Sequence, residues 1–126
     1  MTASFSNLYG SQIQDNGEPT QEKILAMTRG VELNNAAYVA HTKKDYKTAL
    51  EKYKEAISIK LNAYGEDSLH ICISLSGLSD VYLDMGDLEN ARKEANRMLK
   101  IAKNTGNPEQ IRIAKEILTD ISKASK

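Results

Sequence analysis

The stretch at residues 45–57, DYKTALEKYKEAI, gives the clearest indication of the fold. Its apolar residues recur every three or four positions, which is the spacing of one helix face. Asp45 stands directly before this face, where a carboxylate makes a good helix N-cap. The stretch is therefore predicted to form an amphipathic helix with one buried side. The residues of that side are Tyr46, Ala49, Leu50, Tyr53, Ala56 and Ile57.

The same pattern returns 42 residues further along the chain. Residues 33–59 match residues 75–101, and Asp45-Tyr46 aligns with Asp87-Leu88. A fixed period of this size is typical of a solenoid built from stacked supersecondary units. Such units usually present a binding surface and carry out no chemistry, so the repeat favours a binding module.

Helix signals cover the chain from residue 20 onward and predict an all-α domain. Ile24, Met27 and Val31 continue the apolar spacing of a first helix, in which Gly30 is expected to cause a kink. No segment alternates like a strand, and the short loops predict antiparallel neighbouring helices. The expected boundary signals are Thr20, Asp45, Gly65, Asp67 or Ser68, Gly86, Asp87, Gly106 and Asn107-Pro108.

Composition limits the classes of function. The chain has 126 residues, which is enough for one domain, and its 17 Lys and Arg balance its 17 Asp and Glu. A net charge of zero argues against nucleic-acid binding driven by a positive field. No apolar run is long enough for a membrane span, so no membrane association is expected. Because Cys72 is the single cysteine, no intramolecular disulfide can form, and a reducing, cytoplasmic location is expected, with the nucleus as an alternative.

Residues 1–19 are rich in Ser, Asn, Gln and Gly and lack any period, so they are predicted to be a disordered N-terminal segment. Phe5, Leu8, Tyr9 and Ile13 are the apolar exceptions. They leave two alternatives open: a loose tail, or a segment that docks on the domain or on a partner.

The repeat resembles the tetratricopeptide repeat family. Residues 45–57 are similar to the second helix of that family, and small residues stand where its helices touch. These small residues are Ala37, Ala49 and Ala56 in the first copy, and Ser79, Ala91 and Ala95 in the second. The 42-residue period and the stretch Tyr64-Gly65-Glu66-Asp67 resemble the kinesin-light-chain type of repeat.

This resemblance implies an α-α superhelix, a tetratricopeptide-like solenoid within residues 20–126. Repeat 1 would span residues 31–64, repeat 2 residues 67–104, and a capping helix residues 107–123. A generic five-helix bundle is the alternative.

In this family the first helix of each repeat lines a concave groove. The implied groove residues are Asn34, Tyr38, His41 and Thr42 from repeat 1, and Ser76, Asp80, Leu83 and Asp84 from repeat 2. Asp80, Asp84 and Asp87 would form an acidic edge that suits a protein or peptide partner carrying Lys or Arg. An ordinary solvated helix face is the competing interpretation.

Other surfaces give weaker hypotheses. Lys93, Arg97 and Lys100 share one helix face and could form an alternative basic site, although cations near a helix C-terminus also simply complement its dipole. End faces left by two and a half repeats could pair two copies into a homodimer. The family's clamp for chaperone C-termini aligns with Asn34, Tyr38 and Gly77, which depart from its Lys and Asn, so chaperone-tail binding is not expected.

No residue pattern indicates catalysis, a metal or a cofactor. His41 and His70 lie in different helices without partners at ligand spacing. Cys72 stands between Ile71 and Ile73, which predicts a buried thiol and not a nucleophile. No glycine-rich phosphate loop is present. The chain is therefore not expected to be an enzyme. It is expected to act as an adaptor or assembly subunit.

Overall fold

A computed structural model describes residues 19–65 and 68–126, which form five helices and no strand. This confirms the all-α prediction. The predicted disordered segment, apart from Pro19, and the helix start at Asp67 fall outside the described residues. The helices are α1 Gln21–Thr42, α2 Tyr46–Tyr64, α3 Cys72–Met85, α4 Leu88–Asn104 and α5 Pro108–Ala124, and a single 3₁₀ turn, Leu69–Ile71, leads into α3.

Polar side chains cap the helices where the sequence predicts. Each capping oxygen accepts a hydrogen bond from a backbone N–H three residues later, which satisfies one of the free donors of the first turn. The caps are Thr20 to Lys23 at 3.0 Å, Asp45 to Thr48 at 3.3 Å, Asp87 to Asn90 at 3.2 Å and Asn107 to Gln110 at 3.0 Å. Ser68 caps the 3₁₀ turn through the His70 N–H at 3.0 Å.

The 42-residue period is visible in the turns between paired helices. The Asp45 N–H donates to the Ala40 carbonyl at 2.8 Å, and the Asp87 N–H donates to the Tyr82 carbonyl at 2.9 Å. This bond closes a helix C-terminus around a residue with positive φ. That residue is Gly86 in the second turn, with φ 82°, and Lys44 in the first, with φ 63°. Lys44 therefore takes a backbone conformation that glycine adopts more easily.

Helix pairs meet at the small residues that the repeat places there. Ala49 and Ala56 on α2, and Ala91 and Ala95 on α4, are fully buried. On α3, the Ser79 hydroxyl donates to the carbonyl oxygen of Ala91 at 2.7 Å. This bond satisfies a buried hydroxyl and holds α3 against α4, which is possible only where the residues at the contact are small.

Gly30 does not kink α1, which runs without interruption from Gln21 to Thr42. The expectation of a kink was wrong because this glycine serves a close approach between helices. A Cβ added at Gly30 would lie 2.5 Å from Cε of Lys60, whose stem packs against the α1 backbone. Burial lowers the pKa of Lys60.

One continuous core joins the helices, and it is built mainly from aliphatic residues. α3 contributes more buried residues to this core than any other helix, and it lies between α2 and α4, in contact with both. Its fully buried side chains include Ile71, Leu75, Leu78 and Val81 from the 3₁₀ turn and α3, and Met98 and Ile121 from α4 and α5. None of the described helices is long and apolar enough to cross a membrane.

Cys72 lies at the start of α3 and is fully buried, as predicted. Burial also raises the pKa of its thiol, so little reactive thiolate forms at neutral pH. A thiol reagent is expected to label Cys72 slowly in the native protein and rapidly in denaturant. The measurement is the labelling rate by mass spectrometry in both states, and equal rates would contradict the burial.

Candidate functional site

The inner face of the domain lies along α1 and α3. The Ser74 hydroxyl donates to the Asn34 side-chain oxygen at 2.7 Å, and further along, His41 Nε2 donates to Asp84 Oδ2 at 2.6 Å. Residue numbers rise in the same order on both helices, so α1 and α3 run parallel. The two bonds join the helices near both ends of a shared face, which becomes the floor of a shallow groove.

The predicted groove residues of the first repeat are only partly together. Tyr38, His41 and Thr42 line an open cleft of about 360 Å³ with Asp84 from α3, and with Lys44 and Tyr46. Tyr38 is 63% exposed and can contact a partner. The Thr42 hydroxyl donates to the Val39 carbonyl at 2.7 Å. Asn34 accepts the hydrogen bond from Ser74. Thr42 and Asn34 therefore already have hydrogen-bond partners within the domain.

The predicted groove residues of the second repeat also differ: some are exposed, and others pack or form hydrogen bonds within the domain. Asp80 and Asp84 are exposed on α3, one helical turn apart. Leu83 is only half exposed because it packs against the core. The Ser76 hydroxyl donates to the Ile73 carbonyl at 2.7 Å. Tyr38, Asp80 and Asp84 are therefore the predicted groove residues whose side chains are exposed and not hydrogen-bonded within their own helix.

The acidic edge has a different third member from the one predicted. Asp87 caps α4 and also accepts a 2.7 Å hydrogen bond from Nδ2 of Asn90, so it belongs to the turn. Asp120 of α5 takes its place. Although Asp80 is exposed, the protein atoms around its carboxylate partly desolvate it and raise its pKa. Nearby His41 lowers this pKa, and the negative charges of Asp84 and Asp120 raise it further. Nothing local in the sequence links Asp120 to Asp80, because only packing of α5 on α3 brings them near.

An apolar stripe occupies the other half of the groove, and the sequence did not reveal it. Ile24, Met27 and Val31 continue the predicted apolar spacing of α1, but this spacing does not place them on its buried face. They are instead 49%, 43% and 54% exposed, and Ile73 on α3 is 61% exposed. The core side of α1 is occupied by smaller residues at other positions, including Ala26, Gly30 and Ala37. The groove is thus apolar toward the start of α1 and acidic toward its end.

Tyr53 of α2 reaches toward the groove from below. A Cβ added at Gly77 would lie 2.5 Å from Cε1 of Tyr53, so the ring passes under α3 where that helix has no side chain. Burial raises the pKa of Tyr53, and the neighbouring Asp80 and Tyr38 raise it further. The hydroxyl of a second-helix residue therefore lies close to groove residues of both inner helices.

Comparison with known proteins identifies the family. A sequence profile described as the tetratricopeptide repeat matches residues 31–104. The chain belongs to the tetratricopeptide repeat family. No curated protein sequence and no solved structure matches it. Tetratricopeptide repeats generally mediate protein–protein interaction and are typically non-catalytic. The kinesin-light-chain type of repeat remains a prediction from the 42-residue period.

Other predicted sites lie away from the groove of this tetratricopeptide domain or have no chemistry to support them. Lys93 and Lys100 are exposed and Arg97 is half-buried on α4, which packs behind α3. His41 has an acidic partner after all, Asp84, supplied by the other inner helix. In the part of the chain that the structure describes, no group of three His, Cys, Asp or Glu side chains could hold a metal.

Two glycine substitutions test the packing beneath the groove. Gly77→Ala should destabilise the domain, because overlap with the buried Tyr53 ring costs about 1–3 kcal/mol and exceeds the gain of up to about 1 kcal/mol from helix propensity. Gly30→Ala is the matched control. Its new methyl group meets the far end of a flexible lysine, which can move away, so stability should be kept or rise.

The measurement is the free energy of unfolding in urea. Tyr53→Leu in the Gly77→Ala background should recover part of the loss, as a favourable coupling in a double-mutant cycle. Equal stability of Gly77→Ala and Gly30→Ala would show that Tyr53 does not pass under α3.

Asp80 gives a pH-dependent prediction. An acid whose pKa is raised by folding is charged at neutral pH at a cost to the folded state, and that cost disappears as the pH falls through the raised pKa. Asp80→Asn should therefore raise the melting temperature at neutral pH. The gain should shrink on acidification and vanish below the ordinary Asp value of 3.8.

Asp84→Asn is the control for this change, because it removes the charge next to His41 and should bring no stabilisation. The measurement is thermal unfolding of both variants and the parent across an acidic pH series. A gain that does not depend on pH would refute the electrostatic origin.

Proposed function

We propose that this domain is a non-catalytic adaptor or assembly subunit that binds a segment of a partner protein in the groove between α1 and α3. One observation carries this proposal. Exposed apolar side chains and exposed carboxylates lie side by side on the inner face, where Tyr38 is 63% exposed. Contiguous exposed apolar surface rimmed by polar residues is typical of an interaction site.

The two halves of the groove indicate the chemistry of the partner. Its apolar side chains would cover Ile24, Met27, Val31 and Ile73, and its Lys or Arg side chains would face Asp80 and Asp84 at the other end. An amphipathic segment with an apolar end and a basic end meets both needs. Each half favours a different part of the segment, so the groove also selects one direction of binding.

The two halves are expected to act on different steps of binding. Tyr38 offers a large, rigid surface at small cost in conformational entropy, and tyrosines of this kind often dominate binding energy. The carboxylates lie in water at the edge, where charge attraction speeds association more than it strengthens the final complex. Salt should therefore slow association by screening this attraction.

Self-association through an end face is the second candidate. Leu25 and Val39 are exposed on the side of α1 away from the groove, and Arg29 pairs with Glu55 of α2 on the same side at 3.3 Å. A second copy could cover this face. Light scattering over a range of concentrations separates the candidates, because a monomer at all concentrations leaves this face uncovered and excludes the dimer.

The groove is tested with short peptides selected from a random displayed library on the parent protein. Tyr38→Ala should weaken the binding of a selected peptide by about 1 kcal/mol or more, which is at least roughly fivefold in Kd. Val39→Ala is the matched control, because Val39 is the next residue and is exposed about 100° further around α1, on the side away from the groove. Isothermal titration calorimetry measures both.

The double variant Asp80→Lys, Asp84→Lys tests the acidic half. It should slow association of a basic peptide and reverse the effect of salt on the association rate, measured by stopped-flow fluorescence. If the Tyr38 and Asp80/Asp84 variants bind as the parent does while alanine at Lys93, Arg97 and Lys100 abolishes binding, the site is the basic face of α4.

A further inference from the structure

The groove side of α1 carries no exposed charged residue along its first half. Lys23, four positions before Met27, is half-buried, and its Nζ lies 5.6 Å from the centre of the Tyr64 ring. Positions three, four and seven apart share a helix face, and the side chains exposed on this face are apolar or uncharged. They are Ile24, Met27, Thr28, Val31 and Asn35, and the half-buried Asn34 lies beside them. This uncharged stripe differs from the rest of a chain in which 27% of residues are charged.

α1 also extends beyond α3 at this end of the groove. In the 42-residue register, Val31 is equivalent to Ile73, the second residue of α3, whereas Ile24 and Met27 precede that point. Their exposed fractions of 49% and 43% leave large apolar side chains in water. Covering such surface is favourable by about 25 cal/mol per Å² of apolar area, so an occupant that reaches it has a clear driving force.

We propose that residues 5–13 of the same chain dock on this stripe, over Ile24, Met27, Val31 and Ile73. The segment matches the stripe in chemistry: residues 1–14 contain no Asp, Glu, Lys or Arg. Its large apolar residues are Phe5, Leu8, Tyr9 and Ile13. The last three follow Phe5 by three, four and eight positions, and this spacing would place all four on one side of a helical segment.

The connection is long enough for this fold-back. The N-terminal segment leads into Thr20, which caps α1 one turn before Ile24. Residues 14–20 can extend over at most about 25 Å, whereas Gln21 and Val31 are separated by about 15 Å along the helix axis at 1.5 Å per residue. A short tether of this kind also gives a high effective concentration, on the order of millimolar.

The other exposed side of α1 is a poorer place for the segment. There Leu25 and Val39 are interspersed with Glu22, Arg29 and Glu32. An uncharged segment laid over that face would remove these charges from water without replacing their hydrogen bonds, which costs several kcal/mol per unpaired ion. The groove stripe has no such cost, because its polar members are neutral and can keep water or bond to the segment.

The docked segment would leave Tyr38 and the acidic half of the groove open. A partner that binds both halves would have to displace it from the apolar half. This consequence, unlike the docking itself, rests on the function proposed above.

The docking is tested in the full chain with a spin label on Ser11→Cys. Cys72 is buried and remains unlabelled under native conditions. Paramagnetic broadening of the methyl signals of Ile24, Val31 and Ile73 is expected, and that of Ile121 in α5 should be weak. The double variant Leu8→Asp, Ile13→Asp should lose the broadening. Asn7→Asp with Gln12→Asp adds the same charge at polar positions of the segment and should keep it.

Two results would overturn the inference. Equal broadening in both double variants would show a tail that is merely tethered near α1. In the second experiment, isotope-labelled protein without a spin label is mixed with an equal amount of spin-labelled protein that carries no isotope. Broadening of the methyl signals in this mixture would show that the segment docks on the stripe of a second copy. Val31→Asp, at a position exposed enough to leave the fold intact, should release the segment like the Leu8 and Ile13 changes. These outcomes do not depend on peptide binding to the groove.

Discussion

The close approach of neighbouring helices is the constraint on which the other features of this domain depend. Helices can pack this tightly only where a side chain is small or missing. Ser79 meets the Ala91 backbone at 2.7 Å, Gly30 receives the Lys60 stem, and Gly77 admits the Tyr53 ring. If any of these positions held a large residue, the helices would separate and the core between the hairpins would lose contacts.

This packing also creates the groove. α2 and α4 pack against one side of α1 and α3, and the opposite sides of these two inner helices remain in water. The bonds from Ser74 to Asn34 and from His41 to Asp84 join the inner helices in parallel, so equivalent positions of the two repeats lie side by side. Each repeat differs in sequence at those positions, and the groove consequently has an apolar half and an acidic half. Tyr53 adds a hydroxyl from the second layer of helices.

The first helix shows how the end of a solenoid differs from its interior. α3 contacts all four other helices and buries most of its apolar residues, although Ile73 and Met85 remain exposed. α1 has the same kind of apolar spacing, but no helix of the described structure precedes it, so Leu25 and Val39 stay exposed on the side away from the groove. Ile24 and Val31 are exposed on the groove face, as Ile73 is on α3. Exposed apolar surface of this kind is unfavourable in the isolated domain, and a docking segment or partner that covers it gains free energy. The proposed groove function and the proposed docking of residues 5–13 both rest on the apolar residues exposed on the groove face.

The sequence by itself determined the local structure of this protein. Helix caps at Thr20, Asp45, Asp87 and Asn107, the turn at Gly86 and the buried Ala49 and Ala91 were all predictable, because capping, left-handed turns and helix period depend on residues a few positions apart. Tertiary structure alone decided what depends on partners distant in the chain. In the folded domain, Asp120 and not Asp87 lies near Asp80, and His41 is hydrogen-bonded to Asp84. Gly30 is a point of contact between helices and not a kink, and Ile24, Met27 and Val31 are exposed. A helix period shows that residues share a face, but only the packing of other helices decides whether that face is covered.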